Sequence, residues 1–224
     1  MARKSRKNQE RTPLSRERVL NAAIEMVDES GVEGLSMRKL GAQLGVEAMS
    51  LYNYVANKED ILNGIVEMIM AELEIPGTQS DWRQMLRNRA NALRQMFMRH
   101  PWAIQLVESR TNQGEAAMRY YDTLLGRLRG AGFATSMVVN ALFFVDSYLY
   151  GFVTQQLSQP YKSDEDFKEA MGQMAQQVPA DIYPNIAAMV SDPATWQGLD
   201  YDQIFDYGLE LVLDALARSL SKDG

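Results

Sequence analysis

The chain has 224 residues, 46% hydrophobic and 23% charged, which is enough apolar material for one large domain or for one small and one medium domain. With no cysteine and a single histidine, disulfides, thiolate metal sites and a histidine-built zinc site within one chain are excluded, and no cofactor is expected. The net charge of −6 argues against wholesale nucleic-acid binding but is unevenly placed: residues 1–60 carry 10 Lys+Arg against 9 Asp+Glu, leaving 13 against 20 for the rest.

Residues 1–14 lack apolar periodicity and read as a flexible basic arm. Across residues 1–18, Arg3, Lys4, Arg6, Lys7, Arg11, Arg16 and Arg18 face only Glu10 and Glu17, a local basic patch that suits a DNA contact confined to one end. A solubilising tail is the alternative. No apolar segment stands behind this basic start, which predicts no secretory signal and a cytoplasmic protein.

Ser15 reads as the N-cap of a first helix, with Val19, Ala23, Met26 and Val27 at helical spacing and Gly31 ending it. Residues Leu35 to Asn57, LSMRKLGAQLGVEAMSLYNYVAN, read as two short helices joined at Gly45. Ser36 can cap the first, Leu40 and Leu44 share one of its faces, and Gly45 supplies the left-handed conformation that ends it. In the second, Leu51 and Val55 point inward with Val46, leaving Ala48, Met49, Tyr52 and Asn53 outside. This is a helix-turn-helix with a partly polar face for a DNA groove, closed into a three-helix unit by the first helix. Asn57 then caps a fourth helix, with Glu59 and Asp60 in its positive first turn and Ile61, Leu62, Ile65, Met68, Ile69 and Leu73 carrying it onward.

Pro76-Gly77 breaks the pattern and marks the domain boundary, giving a DNA-binding domain over 15–75 and a second domain over 76–224. A fifth helix runs over 81–99 and stops at His100 before Pro101; shorter helices follow over 102–107 and 113–129. The stretch over 134–157, ATSMVVNALFFVDSYLYGFVTQQL, is apolar on nearly all sides. Asn140, Asp146 and Ser147 interrupt it, which favours a helix buried on several faces over a membrane span. Pro179, Pro184 and Pro193 divide the polar region that follows, and a last helix over 200–220 places Phe205, Leu209, Val212, Leu216 and Leu220 in one stripe. No strand is expected, so the fold class is all-α.

The runs RVLNAAIEMVDESGVEGLSMRKL and LGVEAMSLYNYVANKEDIL resemble the TetR-type transcriptional regulators. HPWAIQLVESR and YYDTLLGRLRGAGF are similar to the tetracycline-repressor type of carboxy-terminal domain. The resemblance implies a ligand-responsive regulator, most simply a repressor, that binds a palindromic double-stranded DNA operator as a homodimer and is released by a small-molecule effector. Carried over by motif position, DNA contacts fall to Ser36, Met37, Arg38, Ala48, Met49, Ser50, Tyr52, Asn53, Tyr54 and Lys58. The tyrosines, Ser36, Arg38 and Lys58 would position the protein on phosphate, while Ala48, Met49 and Asn53 would read bases, with guanine as the alternative target of Arg38. The family places a polar residue where Ala48 stands, so fewer base hydrogen bonds are expected. The same resemblance assigns dimerisation to the helices over 134–157 and 200–220.

Candidate effector-site residues are Arg89, Met96, His100, Trp102, Leu106, Arg110, Tyr121, Phe144, Asp146 and Ser147. Asp146 in an apolar helix must be paired, by Arg89 or Arg110, or bound to a ligand. His100 is either a helix C-terminal cap or part of the ligand site. The many methionines and aromatics read as core, or as the lining of a cavity for a lipophilic or aromatic effector. An enzyme is the competing class. It has no Gly-rich phosphate loop, GxSxG elbow or HExxH motif to stand on. Control by a protein partner instead of a small molecule is the third reading.

Overall fold

A computed structural model describes residues 13–73, 81–109, 114–161, 163–192 and 200–220. All regular structure among them is helical: α1 (Arg16–Gly34), α2 (Met37–Leu44), α3 (Ala48–Leu51), α4 (Lys58–Ala71), α5 (Trp82–Arg99), α6 (Ala103–Ser109), α7 (Gly114–Gly130), α8 (Thr135–Leu157), α9 (Asp164–Gln177), α10 (Pro184–Ser191) and α11 (Tyr201–Leu220). The chain is all-α, as its periodicity predicts. The Pro76-Gly77 break, Arg110 and Pro193 lie outside the described residues.

Three helix starts form where capping chemistry places them. The side chains of Ser15, Ser36 and Asn57 accept from the backbone N–H groups of Arg18, Lys39 and Asp60, each satisfying a donor that the first turn leaves open. Gly31 takes φ 71° and ψ 171°, outside the helical range, so the regular helix breaks there as expected and a short further turn runs on to Gly34.

The chain divides into two compact units, one formed by Met1–Glu74 with Arg99–Asp122, the other by Ile75–Met98 with Thr123–Gly224. In the first unit, α1, α2 and α3 close around Val19, Ala23, Val27, Leu40, Leu51 and Val55, and α4 adds Ile61, Leu62, Ile65 and Ile69. Leu44 and Val46, expected inside, are half-buried, because they stand where α2 gives way to the turn. The short α6 packs against α4 in this same unit.

The turn between α2 and α3 is tight. Gly45 adopts φ 70°, the left-handed conformation that stops α2, and its N–H bonds back to Ala42 and Gly41. Gly41 matters for a different reason: a Cβ there would stand 2.9 Å from the Val46 carbonyl oxygen and 3.1 Å from the Ala48 nitrogen, both backbone atoms.

The recognition helix is shorter than the sequence predicts. Only Ala48–Leu51 is α-helical; Tyr52 and Asn53 bond back three residues to Met49 and Ser50, and the Val55 N–H returns to Leu51. Tightening the last turn this way lets Val55 reach the core alongside Leu51.

In the second unit, α5, α8 and α11 supply the core through Leu86, Ala90, Phe97, Val138, Ala141, Val145, Leu149, Phe205, Leu209 and Leu213. Two expectations are corrected. Helix α8 buries one stripe (Met137, Val138, Ala141, Val145, Leu149, Val153), not several faces, and exposes Val139, Phe143 and Phe144. By length and composition it is apolar enough to cross a membrane, but no other described helix meets that test. On α11 the inner stripe is Phe205, Leu209, Leu213 and Leu216, with Val212 and Leu220 half-buried. Ile204, Tyr207 and Leu211 form a second, outward apolar side. Helices α9 and α10 pack on each other.

The Gly41 contact gives a test. Since the methyl of Gly41→Ala would meet backbone that cannot rotate away, it should cost roughly 1–3 kcal/mol, the usual range for overpacking. Thermal unfolding followed by circular dichroism should show a lower Tm, and an unchanged Tm would mean that α2 and α3 cross more loosely than described.

Candidate nucleic-acid interface and effector domain

The outward side of the helix-turn-helix is built by exclusion. Leu51 and Val55 are drawn into the core, and what remains on the other side of one short turn is Met49, 76% exposed, Tyr52, 47% exposed, and Asn53. Ala48, Ser50 and Tyr54 are half-buried at its edges. Arg38 is exposed on α2, next to half-buried Met37 and the capping Ser36. These nine candidates therefore occupy two consecutive short helices and the turn after them.

The tenth, Lys58, is placed differently. Its ammonium donates to the Val32 carbonyl at 3.0 Å, which ties the start of α4 to the end of α1. Lys39 does the same to the Gly34 carbonyl at 3.2 Å.

An ion pair lies beside the reading turn. The Arg16 guanidinium donates to both Asp60 carboxylate oxygens at 2.7 and 3.0 Å and, through Nη1, to the Tyr54 carbonyl at 3.0 Å. Asp60 in turn accepts from the Ala56 N–H at 2.8 Å. The Arg16 hydrogen bond holds the Asp60 carboxyl below its ordinary range, and Asp60 raises Arg16 reciprocally.

The effector-site candidates fall into both units. His100, Trp102, Leu106 and Tyr121 belong to the first. There the His100 ring does not serve as a cap on α5: its Nδ1 lies 2.8 Å from Asp28 Oδ1, and the Trp102 indole N–H donates to that same oxygen at 2.6 Å. Leu106 is buried, and Tyr121 packs edge-on against Tyr120.

In the second unit, Arg89 is the partner of Asp146, in a bidentate pair whose Nη2 arm measures 3.0 Å. The Arg89 side chain is 1% exposed and that of Asp146 20%. Met96 is buried about two turns further along α5, whereas Phe144 and Ser147 stand on the exposed side of α8. Phe144 instead lines an open apolar groove with Leu211, Val212, Ala215, Leu216 and Ser219.

Sequence reasoning missed Arg94. Its guanidinium lies 4.8 Å from the centre of the Phe205 ring and 5.3 Å from that of Phe152, donates to the Gln156 side chain, and reaches Asp202 at 2.8 Å. The available signal was its spacing: four residues after Ala90 and three before Phe97, it falls on the apolar stripe of α5. Tyr148 closes the same corner by donating to the Phe205 carbonyl at 3.0 Å, and burial pushes its hydroxyl pKa up.

Two stability predictions follow from these pairs. Asp146→Ala strips the counter-charge from a buried guanidinium and should cost about 3–5 kcal/mol in urea unfolding, while replacing both partners with apolar residues of similar volume should recover much of it. Asp60, with its lowered pKa, contributes stability that is fully present above the ordinary carboxylate range and is lost as pH falls through its lowered value. Between about pH 5 and about pH 3, Asp60→Asn should therefore lose less stability than the wild type, read from urea midpoints.

Residues 19–65 match the bacterial regulatory proteins of the tetR family, and residues 75–220 match the tetracyclin repressor-like C-terminal domain. The chain is 34% identical over 212 residues to the HTH-type transcriptional repressor DrrR1 of Streptomyces coeruleorubidus, covering 91% of this chain and 77% of that protein. It is 30% identical over 210 residues to the class A tetracycline repressor protein from transposon 1721 of Escherichia coli, with 92% of each chain covered. In fold it is similar to the TetR family protein ActR of Streptomyces coelicolor, solved in complex with actinorhodin, with a TM-score of 0.74 at 24% identity over 93% of this chain and 99% of that one. The chain therefore belongs to the TetR family of bacterial regulatory proteins and is a DNA-binding transcriptional regulator.

Proposed function

We propose that this regulator is a repressor that binds a roughly palindromic operator as a homodimer, in the cytoplasm, and is released when a lipophilic or aromatic small molecule binds the domain over 76–224. The observation that carries the DNA half is the composition of the exposed turn. Met49 and Tyr52 are large, apolar or amphipathic and open to solvent, while Leu51 and Val55 of the same stretch are buried. Such a surface can touch thymine methyls and sugar-phosphate without a dense set of base hydrogen bonds. Ser36, Met37, Arg38, Ala48, Ser50, Asn53, Tyr54 and Lys58 complete the contact set, with Ser36, Arg38, Tyr54 and Lys58 fixing register on the backbone and Asn53 reaching a base edge. Shape and deformability of the operator then carry much of the sequence preference.

The dimer reading is supported by unpartnered apolar surface. Val139, Phe143 and Phe144 of α8 and Ile204, Tyr207 and Leu211 of α11 are all exposed, and both helices belong to the second unit. A two-fold axis through these helices would present two reading turns, one per half-site, about 34–36 Å apart.

The effector reading is supported by the relatives: tetracycline repressor proteins among those of similar sequence, and ActR with its bound actinorhodin among those of similar fold. Within this chain, Arg89, Met96 and Asp146 offer a buried charged and apolar inner side. The effector need favour the DNA-incompetent state by only about 1–3 kcal/mol to act as a switch.

Footprinting over the promoter region of the protein's own gene tests the reading. Wild type should protect a palindromic site at moderate salt. Tyr52→Ala should weaken binding by roughly tenfold, the scale of one lost hydrogen bond to a charged group. Leu211→Glu should convert the dimer to a monomer by light scattering and abolish tight operator binding. A protein that protects no site, or a Leu211→Glu variant that stays dimeric, would defeat the corresponding half of the proposal.

A further inference from the structure

The first eighteen residues carry seven cations, and an acidic protein that binds DNA at its basic end invites the assumption that all of them face phosphate. The geometry removes Arg16 from that count. Its two terminal nitrogens are committed to Asp60 and to the Tyr54 carbonyl. The contacts join three separate pieces of chain: the first turn of α1, the end of the reading turn and the first turn of α4. Asp60 accepts the Ala56 N–H as well, so the backbone on both sides of Val55 is held by one ion pair. Glycine at position 64 keeps the corridor open, since a Cβ there would stand 3.3 Å from Arg16 Nη2 and 2.7 Å from Leu20 Cδ2.

We infer that Arg16 and Asp60 are a positioning pair for DNA recognition: they touch the fold, not the DNA, and set where Tyr52, Asn53 and Tyr54 present their side chains. A turn with one α-helical turn of its own has little means of fixing that angle, and a fork bound to its last carbonyl supplies one. The lowered carboxyl pKa of Asp60 agrees with a pair that stays ionised at neutral pH. The inference rests on the DNA-binding reading and goes beyond it, because neither residue belongs to the proposed contact set.

Charge alone and positioning predict opposite signs at Asp60. Removing a carboxylate near DNA should tighten binding if only the field matters; if the pair positions the turn, it should weaken specific binding. The test uses full-length protein and a duplex selected by the wild type from a random library. Specific and non-specific affinities are measured across a salt series, well below each variant's Tm.

Asp60→Asn and Arg16→Ala should each lower specific affinity by roughly tenfold or more, since misplacing the turn forfeits at least one contact of the usual worth. Non-specific affinity and the salt slope should hardly change. The two substitutions should be non-additive when combined, and the exchange of Arg16→Asp with Asp60→Arg should recover part of the loss. Arg38→Ala serves as the contrast, expected to reduce the salt slope by about one.

The proposal is overturned if Asp60→Asn binds as well as or better than wild type, or if Arg16→Ala itself lowers the slope by about one, which would make Arg16 a direct phosphate contact. A parallel fall in specific and non-specific affinity would mark a purely structural role and overturn it equally. Failure of the underlying reading shows separately, as a wild type that selects no duplex, and takes the proposal with it.

Discussion

A helix of a single turn cannot hold its shape in water, because nucleating it orders several residues for very few hydrogen bonds. The reading helix of this protein, Ala48–Leu51, is of that kind, and much of the first unit can be understood as what keeps it in place. Leu51 and Val55 anchor it from beneath. Gly41 lets α2 approach until it meets the backbone at Val46 and Ala48. Arg16 and Asp60 hold its far end. Sequence-specific contact requires side chains placed to within a fraction of an ångström, and here the placement is delegated to neighbours.

The same economy governs the charges around it. Lys39 and Lys58 donate to backbone carbonyls at the end of α1, and Arg16 is paired internally. Cations that look available in the sequence are thus partly engaged in joining elements. The outward side of the turn is left with methionine, tyrosine and asparagine, a surface suited to methyl contacts, phosphate positioning and groove shape.

The second unit handles charge in the opposite way, by burying it. Arg89 is neutralised by Asp146 across α5 and α8, and Arg94 rests on two phenylalanine rings with Gln156 and Asp202 at its polar edges. Neither arrangement is cheap in desolvation, and each works only when its helices sit in one register. The apolar outer sides of α8 and α11 stay exposed among the described residues of one chain, the observation on which the proposed dimer rests.

Local chemistry made a large part of this legible from the residues in order. Ser15, Ser36 and Asn57 had to cap, Gly45 had to turn, and the 3.6-residue spacing of apolar side chains had to make helices, because each depends on neighbours a few positions away. The family signature spanning α2 to α4 is of the same local kind. Of the pairs far apart in the chain, Arg89 with Asp146 was among the alternatives the residues offered, because a carboxylate in an apolar helix demands a partner. What could not be read was Asp28 receiving His100 and Trp102, Arg94 finding Phe152 and Phe205, and Arg16 reaching Tyr54 and Asp60. The burial of α8 belongs here too. Its sequence is apolar on nearly every side, and only packing determines which stripe meets α5 and α11 and which faces outward. Periodicity specifies a surface; its partner is chosen in three dimensions, where long-range contacts and desolvation decide.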